Sequence, residues 1–108
     1  MSDQLEMMAL RDAGEATVLV AIGEQAASEI RARIITLAEQ DERFTSDDVR
    51  RMLGPATTAA IERHPNALSA CFSSCSRAGL IRRVGYTTSA RDERRGSPIA
   101  EWRGRAEA

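Results

Sequence analysis

Apolar residues recur at spacings of three and four along the first half of the chain. Val18, Ile22, Ala26, Ile30, Ile34 and Leu37 with Ala38 form one stripe, and Glu24, Glu29, Arg33 and Glu39 fall on the other face. That periodicity predicts a long amphipathic helix over residues 13–40, with Gly23 as a weak point able to divide it. Val20 and Ile35 lie off the stripe and are candidates for contact with a second copy of the chain. The polar residues 1–12, with scattered Met and Leu, predict a flexible N-terminal arm.

A second helix is predicted over residues 46–53. In "FTSDDVRRMLG", Thr45 or Ser46 can cap the first turn, and Asp47 and Asp48 sit where the helix dipole favours carboxylates. Val49, Met52 and Leu53 supply the apolar face, and Gly54-Pro55 stops the helix. "PATTAAIERHPN" admits either one helical turn around Thr58–Glu62 or an extended connection. A third helix is predicted over 66–78, with Asn66 able to cap and Pro65 tolerated at its start. Leu68, Cys71, Phe72, Cys75 and Ala78 make its apolar stripe; Asn66, Ser69, Ala70, Ser73, Ser74 and Arg77 make the other face. Gly79 ends it.

From Ile81 the period changes. "LIRRVGYTTS" and "SPIAEWRG" have strand composition and flank the charged turn "ARDERRG", which predicts a hairpin over 81–103 with a bulge at Gly85. Residues 105–108 are left as a tail. The expected class is α+β: a winged helix-turn-helix domain over 13–104 with a long N-terminal helix and a C-terminal β-hairpin wing, the hairpin covering the apolar edge that three helices leave open.

Charge sharpens this picture. The chain has 108 residues and a net charge of −1, but residues 1–62 carry 6 arginines against 12 carboxylates (−6) and residues 63–108 carry 9 against 4 (+5). All 15 basic residues are Arg. Arginine keeps its charge and grips phosphate or a guanine edge with a planar fork. No run of 18 apolar residues predicts a membrane span, and no charged leader with an apolar core predicts secretion, so a cytoplasmic protein is expected.

Catalytic chemistry finds few residues. His64 is the single histidine and precedes Pro65 at a turn, where a structural role is expected. Cys71 and Cys75 share one helix face as small buried apolar groups; two thiols and one imidazole do not make a four-ligand zinc site. "GEATVLVAIG" lacks the spacing and the Lys of a phosphate loop. Asp41/Glu42 and Asp47/Asp48 read as loop and cap residues. Neither an enzyme, a metal, a cofactor nor a small-molecule substrate is expected.

Nucleic acid is the better-supported partner. No carboxylate occurs between Glu62 and Asp92, the span that contains the third helix. Asn66, Ser69, Ser73 and Arg77 are candidates to meet base edges or phosphates of double-stranded DNA in the major groove. Arg91, Arg94 and Arg95 at the hairpin tip, with Arg82 on its stem, are candidates for phosphate or minor-groove contact. Asp92 and Glu93 weaken the field of that tip. Of Arg82 and Arg83, one is expected to face solvent and the other to lie over Trp102 or Tyr86. Other uses of these surfaces are a protein contact or a solvated face. The acidic first helix fits an alternative role, a protein-interaction module that binds a host protein or itself as a homodimer.

The stretches "FTSDDVRRMLG", "HPNALSACFSSCSRAGLIRRVG" and "SARDERRGSPIAEWRG" resemble those of small winged-helix (helix-turn-helix) proteins of actinobacteria and actinobacteriophages. The resemblance covers roughly Ala13 to Gly104. It implies a winged-helix fold, non-catalytic DNA binding, and a regulatory role in transcription with a possible bacteriophage origin.

Overall fold

The computed structural model describes residues 22–89 and 96–104. The arm 1–12, the first turns expected over 13–21, the tail 105–108 and the tip arginines Arg91, Arg94 and Arg95 lie outside the described residues. Within them the chain is α+β. Four helices, α1 (Glu24–Glu39), α2 (Ser46–Arg51), α3 (Pro55–Arg63) and α4 (Ala67–Arg77), precede an antiparallel hairpin of β1 (Ile81–Thr88) and β2 (Pro98–Gly104).

The helix expected over 13–40 does not run through Gly23. That residue takes φ 99° and ψ 151° and stands as the N-cap of α1, a backbone conformation open to glycine and not to a helix interior. The predicted stripe is otherwise the core. Ile22, Ala26, Ile30 and Ile34 are buried, joined by Phe44, Val49, Ile61, Leu68, Phe72 and Ile81. Leu37 and Ala38 pack against its edge.

The turn into α2 is made by Asp41, which accepts a left-handed φ of 54°. Arg103 of β2 donates to the Asp41 carbonyl at 3.0 Å and to its carboxylate at 3.2 Å, tying that turn to the hairpin. Thr45 is the α2 cap. Its hydroxyl accepts from the Asp48 amide, and the Asp48 carboxylate accepts from the Thr45 amide at 2.8 Å, a reciprocal capping box. Asp47, in the same first turn, is buried and accepts from the hydroxyl of buried Ser89 at 2.8 Å, which pins the end of β1 to α2.

Gly54-Pro55 does more than stop α2. Gly54 is the extended N-cap and Pro55 the first residue of α3, so the ambiguous segment is a nine-residue helix rather than a single turn or a connection. Glu29 of α1 caps it from outside: its carboxylate accepts from the Gly54 amide at 2.7 Å and from the buried Thr57 hydroxyl at 2.7 Å. These donors hold the Glu29 carboxyl below its ordinary value near 4.5. A lowered folded value means a stabilisation present above the unfolded value and lost as pH falls through the folded one. Urea unfolding between pH 5 and 3 should therefore weaken less steeply in Glu29→Gln than in the parent. Superimposable pH profiles would remove this tie from the account.

Three residues, His64 to Asn66, separate α3 from α4. His64 is the C-cap of α3, its amide donating to the carbonyls of Ala60 and Ile61. Asn66 stands at the N-cap position of α4 in a helical conformation and makes no capping hydrogen bond with its side chain, contrary to expectation. At the other end the Leu80 amide reaches the Cys75 carbonyl and the Gly79 amide reaches that of Ser76, with Gly79 at φ 80°. This Schellman arrangement turns α4 directly into β1.

Candidate nucleic-acid interface

Helix α4 is buried more broadly than its stripe predicts. Ala67 and Ala70 are buried together with Leu68, Cys71, Phe72 and Cys75, whereas Ala78, expected inside, is exposed at the C-cap. Ala70 therefore leaves the candidate polar face. Ser74 leaves it too: it lines a crevice of about 210 Å³ with Ser28 and Arg31 of α1 and the two cysteines. Both thiols are buried and unlinked, and burial pushes Cys71 up to about 11 and Cys75 upward as well. Buried thiols of this kind serve as small packing groups in the core.

What remains on the outer face of α4 is Asn66, Ser69, Ser73, Ser76 and Arg77. Asn66, Ser69 and Arg77 are exposed and the two serines half-buried. Spacings of three and four set these side chains in one row along the helix.

The hairpin meets that row through a register irregularity. Arg83 pairs with Trp102, and the next pair is Gly85 with Glu101, so Val84 is the extra residue of a bulge. In an unbroken strand Arg83 and Tyr86 would point to opposite faces. The bulge resets the alternation, because Tyr86 pairs with Ala100, two residues from Trp102, and so shares the Arg83 face. The Arg83 guanidinium lies 5.4 Å from the centroid of the Tyr86 ring. Tyr86 is 62% exposed, the one large apolar side chain so exposed among the described residues.

This face is turned towards α4. Trp102 packs on Phe72 of α4 with ring centroids 5.4 Å apart, and Phe72 on Phe44 at 6.1 Å. Phe44 is bridged to Trp102 by two backbone hydrogen bonds of 2.8 and 2.9 Å, adding a third segment to the sheet. Phe44, Trp102 and Arg83 thus form a row across the sheet that passes from buried to half-buried to exposed. At its exposed end Ser73, Ser76, Arg77, Arg83 and Trp102 line a cleft of about 230 Å³ that contains no carboxylate among the described residues.

The opposite face of the hairpin holds Glu101, its one carboxylate among the described residues. Glu101 pairs with Arg43 at 3.5 Å, and Arg103 with Asp41. Arg82 sits on this second face, across from Arg103, and is exposed there, so it does not join the cleft with Arg83. The structure brings together Asn66, Ser69, Ser73 and Arg77 on one helix and sets Arg82 apart from them. Ser76, Arg83 and Trp102 line the cleft, with Tyr86 beside Arg83, but were not among the residues expected to make contact. Gly85 was the available signal, since a bulge beside it changes which residues share a face.

Among the described residues no group of three or more His, Cys, Asp and Glu is placed to hold a metal, and no helix is long and apolar enough to cross a membrane. No protein-family model, no curated protein and no solved structure matches the chain.

Proposed function

We propose that this chain is a winged helix-turn-helix protein that binds double-stranded DNA without catalysing a reaction. The helix-turn-helix is α3, the turn His64-Pro65-Asn66, and α4; the hairpin is the wing, and Phe44 supplies the short strand that such a wing pairs with. The observation that carries the reading is the continuity of the α4 row with a cleft that no described carboxylate lines, while Glu101, the described carboxylate of the hairpin, is paired with Arg43 on its other side. Small hydroxyl and amide side chains allow close approach to base edges, and arginines beside them meet phosphates. A cytoplasmic, regulatory role follows from the resemblance to actinobacterial and phage proteins, and a homodimer would double the contact area on a two-fold site.

The alternative, a protein-interaction module working through an acidic helix, has less to draw on. Glu29, one of three carboxylates on α1, is tied to Gly54 and Thr57 rather than presented outward.

Titration of a labelled 20–30 bp duplex with the full chain tests the proposal. Binding is expected at 50 mM salt and should weaken steeply by 200 mM, with log K falling by about 0.9 per neutralised phosphate for each tenfold rise in salt. The triple change Arg91/Arg94/Arg95→Ala should flatten that dependence with the fold intact. Absence of binding at low salt would reject DNA as the ligand. A protein partner lost on changing Glu24 and Glu39 would favour the alternative.

A further inference from the structure

The stem of the hairpin, not only its tip, carries a ligand site: we propose that the cleft between α4 and β1 holds one phosphate group of a nucleic-acid backbone, with Arg83 as its clamp and Tyr86 as the residue that positions the clamp. The inference rests on the DNA-binding reading and names a contact within it.

A guanidinium has two kinds of surface. Its face stacks on aromatic rings, and its edge carries N–H donors in a fork that fits two oxygens of one phosphate. Arg83 lies over Tyr86 at 5.4 Å and also lines the cleft. The cation–π contact holds the guanidinium beside the ring and leaves N–H donors for an anion. It also restricts a long, flexible side chain before any ligand arrives, which lowers the entropy lost on binding. Tyr86 has no evident part in the core to account for its place, since it is 62% exposed. The bulge at Val84 is what brings the ring and the guanidinium to one face.

The other cleft residues suit the same ligand. Ser73 and Ser76 bring hydroxyl donors, Arg77 a second positive charge, and Trp102 an apolar wall with an indole N–H. Among the described residues no carboxylate lines the cleft to oppose an anion. Its volume of about 230 Å³ corresponds to roughly eight waters at liquid density, room for a phosphate with bridging waters. The row of Asn66, Ser69 and Ser73 leads into it along α4. A backbone passing beside that helix would thus deliver a phosphodiester to the cleft.

Trp102 is the single tryptophan of the chain and lines the cleft, so its emission reports occupancy directly. The test combines that emission with duplex affinity measured from 50 to 300 mM salt for the parent, Arg83→Gln, Tyr86→Ala and Tyr86→Phe. Arg83→Gln is expected to bind about tenfold more weakly at 50 mM salt, with the slope of log K against log salt shallower by about 0.9. Tyr86→Ala should lose about threefold and Tyr86→Phe less than twofold, because Phe preserves the ring on which the guanidinium stacks. Duplex, but not inorganic phosphate at equal phosphate concentration, should shift Trp102 emission. Parental affinity and slope in Arg83→Gln would overturn the clamp while leaving the DNA reading in place. An emission response to inorganic phosphate alone would assign the cleft to a free anion instead of a backbone. A parent protein that binds no duplex at low salt would bring down both the clamp and the function on which it rests.

Discussion

Phe72→Ala is expected to lower stability by about 4 kcal/mol. Phe72 is 3% exposed and lies between Phe44 and Trp102, at ring separations of 6.1 and 5.4 Å with both pairs tilted. Its removal deletes two aromatic contacts and leaves a cavity at the junction of α4, β2 and the Phe44 segment. The surrounding backbone is held by the Phe44–Trp102 bridge and has little freedom to collapse into the space. A domain of this size has about 5–15 kcal/mol in all, so the loss is a large share. Urea unfolding followed by Trp102 emission measures it in the residue that loses its neighbour. Phe72→Leu keeps most of the volume and should cost less than half as much. A loss below about 1 kcal/mol for Phe72→Ala would contradict the packing described for this junction.

Ser69→Glu should weaken duplex binding by about 100-fold at 50 mM salt, with thermal stability unchanged or slightly raised. Ser69 is exposed on the outer row of α4, one turn before Ser73. Glutamate is a better helix former than serine, so the fold has no reason to suffer. A carboxylate set against phosphates costs several kcal/mol, and about 2.7 kcal/mol is the stated factor. Ser69→Ala, which removes the hydroxyl without adding charge, should stay within about threefold. The pair separates electrostatic exclusion from loss of a single hydrogen bond. Should Ser69→Glu bind as the parent does, α4 is not the element that faces DNA. Retention of a protein partner by the same variant would then point to the acidic helix.

Much of the architecture was legible from local pattern. The three-and-four spacing of Ile22, Ala26, Ile30 and Ile34 marked the core face of α1, and all four are buried. The polar segment Thr45 to Asp48 marked the start of α2, Gly79 the end of α4, and the Val, Tyr, Ile and Trp around a charged turn marked the hairpin. Each signal lies within a turn or two of the residue it governs. Helix α3 is legible in the sequence only as one of two alternatives, a single turn around Thr58–Glu62, because Gly54-Pro55 reads as the stop of α2 as well as the start of a new helix.

The candidate site was legible only in part. The exposed row Asn66, Ser69 and Arg77, with half-buried Ser73, follows from helical period. The burial of Ala67 and Ala70 does not, because it depends on which neighbours press on α4. Arg82 and Arg83 are adjacent and chemically identical, and strand alternation alone says only that they face opposite ways. The choice of Arg83 for the cleft comes from its pairing with Trp102, and the company of Tyr86 from the bulge.

By itself the sequence determined the apolar face of α1, the capping segment that opens α2, the glycine that ends α4 and the two-stranded character of the C-terminal half. These rest on periodicity and on hydrogen bonds between residues three or four apart. Tertiary structure alone decided that Glu29 caps α3 across 25 residues, that Glu101 meets Arg43 across 58, and that one face of the hairpin holds Glu101 and Arg103 in ion pairs while the other holds Arg83, Tyr86 and Trp102. Such partners are far apart along the chain. They meet only when burial of the Phe44, Phe72 and Trp102 rings fixes how the sheet lies on α4, and no local pattern encodes that orientation.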